Sequence, residues 1–192
     1  MEKIKLGLFD LFAYILPGSF LILSITCIII VPNNLINLIL SIVTKMNFGT
    51  TTVAIIACYI CGFLGQYVGY ELFKSIATKV WKGRMTGETS FGKMEDKIVQ
   101  IRHFSPNNFN ALHRWLALRG MCYGMFQALT IFLIVILIRS IEFQIWTKQR
   151  ILLLIILGIL SILFLRRAVT FHEWAHRTIR YSMDHMGKFI NR

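Results

Sequence analysis

Four stretches of the chain are apolar over lengths that a soluble core does not call for: about 11–31, 53–70, 121–138 and 151–165. None contains Asp, Glu, Lys, Arg or His, and they end at Pro32-Asn33-Asn34, Glu71, Arg139 and Arg166-Arg167. Spanning a bilayer core takes about 20 apolar residues, so each stretch predicts a transmembrane helix. The fourth is short by that measure and is expected to borrow Ala168 and Val169 or to thin the bilayer locally. Between the spans the pattern stays helical. Leu72, Ile76 and Val80 oppose Lys74, Thr78 and Lys82, and Met94, Ile98 and Ile101 share one face. Gly83, Gly87 and Gly92 mark a loop. Ser105-Pro106 is a helix start, with a hydroxyl at the N-cap and Pro at the first helical position. From it a helix is expected to run through Phe109, Leu112 and Leu116 into the third span. The fourth span meets no breaker before Gly187 and should project as 166–186. The chain thus reads as all-α and polytopic: a first transmembrane hairpin (1–70), a helical segment (71–120), a second hairpin (121–165) and a C-terminal helix (166–192).

Composition agrees. Of 192 residues, 56% are hydrophobic and 16% charged, against about 45–50% and 25% in soluble domains. Three Pro and thirteen Gly exclude collagen-like and low-complexity chains. The net charge of +12 would suggest nucleic acid in a soluble protein, but its distribution follows the spans. Segments 1–10, 71–120 and 166–192 carry 17 Lys+Arg, while 32–52 and 139–150 carry four. The positive-inside rule then puts both termini and segment 71–120 in the cytoplasm. The basic residues are expected to meet anionic lipid. Lys82, Arg84, Arg102, Arg114, Arg177 and Arg180 are candidate partner-docking residues. Aromatics are too sparse around His113-Arg114-Trp115 for base stacking, so no direct nucleic-acid contact is expected. Asp10 at the head of a long apolar stretch, with no small-x-small site after it, predicts a retained first span rather than a cleaved signal.

Small residues stripe the second span: Ala54, Cys58, Cys61, Gly62, Gly65 and Gly69 recur at spacings of three and four. Gly65-x-x-x-Gly69 and Gly120-x-x-x-Gly124 allow close backbone approach, either between the second and third spans or across a symmetry axis. Gly62, Gly65, Gly69, Gly120 and Gly124 are therefore candidate helix-packing or oligomer residues. Pro17-Gly18 sits inside the first span and predicts a kink or break near Ala13-Tyr14, as a hinge or a packing kink. Cys58-x-x-Cys61 has redox spacing without the strand–helix setting of a redox site, so Cys27, Cys58, Cys61 and Cys122 read as packing residues. Gln66 and Gln127 are the mid-span amides and can hydrogen-bond between helices. The lack of intramembrane charge argues against a pump or coupled transporter.

His172-Glu173-Trp174-Ala175-His176 matches H-E-x-x-H, which places two imidazoles on one helix face with a glutamate able to act as general base at zinc. The residues that follow, Arg177 to Ser182, hold no third ligand, and His185 lies about two and a half turns beyond His176. Arg177 and Arg180 disfavour a dication. The motif reads first as an amphipathic helix with surface histidines, and zinc hydrolysis through His172, Glu173 and His176 is the alternative. No cofactor is expected.

A four-span chain of this size that opens with Phe9-Asp10-Leu11-Phe12-Ala13-Tyr14-Ile15-Leu16-Pro17-Gly18 resembles the KwaA family, the membrane components of the Kiwa anti-phage defence system. The resemblance covers the whole chain at the level of layout and transfers no single functional residue. It implies a non-enzymatic inner-membrane sensor or scaffold that forms homo-oligomers and recruits KwaB, a cytoplasmic nucleic-acid-binding effector. Besides the metalloprotease, the competing expectation is a pore-forming or membrane-perturbing defence effector, although no polar pore lining is visible.

Overall fold

The computed structural model describes the backbone of residues 2–30, 35–81 and 91–190. Among these residues there are six helices and no strand: α1 (Glu2–Ile29), α2 (Leu35–Lys45), α3 (Phe48–Val80), α4 (Phe91–Phe104), α5 (Pro106–Glu142) and α6 (Lys148–Ile190). Four of them, α1, α3, α5 and α6, are long and apolar enough to cross a membrane. The expected all-α class, with four helices able to span a membrane, is therefore present among the described residues. The breakers Pro32-Asn33-Asn34, Gly83 and Gly87, and the docking candidates Lys82 and Arg84, lie outside the described residues.

The spans prove to be the middles of longer helices. With 37 and 43 residues, α5 and α6 are about 55 and 65 Å long, twice the thickness of a bilayer core. As the sequence suggests, α5 begins at Pro106 with Ser105 as its N-cap, although the Ser105 hydroxyl makes no capping hydrogen bond. The other helix start carries more. The Asn47 Oδ1 accepts from the Thr50 N–H at 2.9 Å and the Thr50 Oγ1 accepts from the Asn47 N–H at 2.8 Å, a reciprocal cap that begins α3 five residues before the apolar run. Three expectations fail in whole or in part. Gly92 lies inside α4 rather than in a loop. Gly187 does not stop α6, which continues to Ile190. Of the kink or break expected at Pro17, the break is absent, since α1 is helical on both sides of it.

α5 is the centre of the bundle and packs on α1, α3, α4 and α6. In its apolar stretch 61% of residues are buried, against 6% in α3, so α5 is the internal span and α3 a peripheral one. Cys27, Met125, Leu129, Phe132, Ile136 and Leu157 fill the core in the middle and at one end. Towards the other end the core passes to Phe73, Ala77, Tyr123, Phe126, Ala168, Val169 and Phe171. Beyond it Ile101, Leu112, Ala175 and Ile179 join α4 to the outer parts of α5 and α6.

Candidate functional site

The glycines bring the spans together. A methyl group placed on Gly18 of α1 would lie 1.7 Å from the Cys58 carbonyl oxygen, and one on Gly62 would lie 1.9 Å from the Tyr14 carbonyl oxygen. Only residues without a side chain permit this crossing. The other crossings are looser: a methyl on Gly69 would lie 2.8 Å from the Tyr123 carbonyl oxygen, and one on Gly124 would lie 3.4 Å from the Pro17 ring. Two amides interlock at the α3–α5 seam. Gln127 of α5 lies over Gly65 and Gly69, and Gln66 of α3 lies over Gly120. Gly62, Gly65, Gly69, Gly120 and Gly124 are thus all turned towards helices of the same chain. The hinge candidates Pro17 and Gly18 sit at the tightest contact of the bundle, with Pro17 fully buried. Cys27 and Cys122 are buried and Cys58 and Cys61 half-buried, all as free thiols. Between α5 and α6, Thr130 Oγ1 and Ser161 Oγ are 2.8 Å apart and Thr130 donates to the Phe126 carbonyl, whereas the Gln127 Oε1 is buried without a hydrogen-bond partner.

Where α5 and α6 leave the apolar band, the side chains become large and polar. Trp115 stacks on Phe171 and meets Trp174 edge-on at 4.8 Å between centroids. Arg167 lies over the faces of Phe171 and Trp174, at 5.0 and 5.6 Å, a geometry in which the rings' quadrupoles hold the cation. Next to this layer the Arg119 side chain is buried. Its Nη1 donates to His172 Nδ1 at 3.2 Å, and it also hydrogen-bonds the Tyr123 side chain. Burial, the Arg119 charge and the neighbouring His176 push the His172 pKa down to about 3. His172 is therefore a neutral acceptor, with its proton on Nε2.

The H-E-x-x-H residues are engaged in this packing. His172 faces Arg119, His172 and His176 are 4.4 Å apart between ring centroids, and Glu173 accepts from Arg177 at 2.6 Å. Among the described residues no three His, Cys, Asp or Glu converge on a point that would hold a metal; the His185 side chain lies outside them. The Arg119 guanidinium occupies the Nδ1 lone pair of His172, which leaves Nε2 carrying the proton.

The outer layer is built from α4, the first turns of α5 and the last turns of α6. Ile101, Leu112, Ala175 and Ile179 close it inside, and the Asn108 amide donates to Ser182 Oγ at 3.1 Å across α5 and α6. Its outside combines charge with apolar area. Arg102, Arg114, Arg177 and Arg180 are exposed, as are Val99, Phe104 and Tyr181. Arg102 lies over the Phe109 ring at 5.6 Å and Arg177 is paired to Glu173. The sequence pattern shows the helices of this layer, but not the buried Arg119–His172 contact. Spacing alone offers no signal for it, because 53 residues separate the two.

Comparison with protein-family models, curated proteins and solved structures finds no match for this chain.

Proposed function

We propose that this protein is a non-enzymatic membrane scaffold or sensor, of the kind the KwaA resemblance implies, that assembles with copies of itself and recruits a soluble effector to the cytoplasmic face. The observation that carries this reading is the outer helical layer. It is a packed structure beyond the apolar band, with arginines and large apolar side chains together on its surface. Such a surface suits an acidic protein partner, because charge guides the encounter and apolar anchors hold it. The charge asymmetry of the sequence supports an orientation with both termini, and hence this layer, in the cytoplasm of a bacterial inner membrane. The engagement of Glu173 by Arg177 and of His172 by Arg119 supports a structural use of the H-E-x-x-H helix.

The test is phage challenge of cells that carry the chain together with a KwaB-like effector. Arg102→Glu with Arg180→Glu, both at exposed positions, should abolish protection and effector recruitment while the amount of membrane-inserted protein stays at the wild-type level. Full protection by this double variant would overturn the docking reading.

A further inference from the structure

A second surface lies at the opposite end of the bundle, on α2. This helix of 11 residues is about 16 Å long, too short to cross a bilayer. Its residues divide into three faces. Leu35 and Leu38 pack against the core around Cys27, and half-buried Ile42 continues that edge one turn on. Asn37, Ser41, Thr44 and Lys45, spaced i, i+4, i+7 and i+8, form an exposed polar stripe. Ile39, Leu40 and Val43 form the third face, which is apolar and exposed, Val43 to 59%. No other described helix brings its backbone against α2.

The third face continues a larger apolar surface. It is preceded in the chain by exposed Ile28, Ile29 and Ile30 at the end of α1, and followed by exposed Met46, Phe48 (90%) and Val53 at the start of α3. Of these flanking residues, Ile28, Ile29, Phe48 and Val53 belong to two helices apolar enough to span a membrane. The Asn47–Thr50 cap marks the point where the chain turns from α2 into the second of them. A short helix with one edge on the bundle, one apolar face and one polar stripe ending in Lys has the three surroundings of a helix at a lipid–water boundary: protein, acyl chains and headgroup water. In the polar stripe the Ser41 and Thr44 hydroxyls bond back to the Leu38 and Leu40 carbonyls, so neither needs a protein partner. We propose that α2 is an in-plane membrane-surface helix whose Ile39–Leu40–Val43 face is buried in the acyl-chain boundary of a phospholipid leaflet and whose Lys45 meets the headgroups.

The full-length protein in phospholipid vesicles tests this with single cysteines added to the wild-type chain. Its own thiols lie within the spans, which a charged maleimide does not enter. Ser41→Cys and Asn37→Cys should react with that reagent about tenfold faster or more than Leu40→Cys and Val43→Cys, because the apolar face of such a helix sits about 5–10 Å below the surface. Bimane attached to Val43→Cys, read against the wild-type chain treated alike, should be quenched more by a nitroxide near the lipid headgroup than by one at mid-chain. Equal labelling at all four positions would overturn the proposal by placing α2 in water. Stronger mid-chain quenching would overturn it in favour of a re-entrant helix. Protection without quenching by either lipid would overturn it in favour of a second copy covering the face.

Discussion

Along the apolar band α1 and α3 meet backbone to backbone at Gly18 and Gly62, whereas at the α4 end α3, α5 and α6 meet through Phe73, Trp115, Phe171 and Trp174. The difference follows from the solvent. In lipid, exchanging acyl chains for a leucine of another helix gains little, so association relies on close approach and dispersion, which small residues allow. Outside the acyl region water is displaced, and burying a large ring becomes favourable through the hydrophobic effect. One molecule thus uses two packing rules, and the change falls near Arg119 and Arg167, where cations enter the helix interface. Gln66 and Gln127 mark the transition: amides against glycines, where neither a large apolar side chain nor a bare backbone contact would fill the gap.

The comparison breaks most sharply at the crossing. Gly62→Leu should prevent α1 from docking, at a cost above about 3 kcal/mol, and size-exclusion chromatography in detergent should show little folded protein. Gly158→Ala is the control, since its methyl would meet only the Leu133 Cδ1 at 3.6 Å, an ordinary contact; wild-type elution of both variants would show that the crossing is not tight. At the other end Phe73→Ala should cost about 3 kcal/mol by opening a cavity under Tyr123 and His172. It should lower the thermal unfolding midpoint and expose α6 to protease beyond Arg167 while the crossing at Gly62 persists.

The His172 ring sharpens the comparison through pH. Its folded pKa of about 3 lies below the ordinary value of 6.5. The neutral ring's contribution is therefore complete above pH 6.5 and is lost as pH falls towards 3, while the unfolded chain takes up the proton first. At pH 5 the loss should approach about 2 kcal/mol, read as a lower unfolding midpoint in micelles than at pH 7.5. His172→Gln should flatten that dependence. An unchanged profile would mean that other groups set the acid response of this end. The smallest effect belongs to Glu173→Gln. It removes an i,i+4 ion pair with a largely exposed Arg177, worth about 0.3–0.5 kcal/mol. A loss of biological activity far beyond that, with the fold intact, would revive the catalytic reading of the motif.

The amino-acid sequence by itself determined the four spans, the helix start at Pro106 and the helical continuations into the outer layer. Apolar runs bounded by charge, and apolar faces at helical spacing, are local quantities that a chain carries whatever its neighbours. It also marked the small-residue stripe without saying what lies against it. α2 was partly legible, since its polar stripe at 37, 41, 44 and 45 is helical in period, and Asn47 with Thr50 signals the cap of α3. Only the tertiary structure decided that Gly18 and Gly62 face each other, that α5 is the internal span, and that Arg119 closes on His172. Each depends on where two distant segments cross. A crossing is fixed by the mutual fit of two surfaces, which the periodicity of neither reveals.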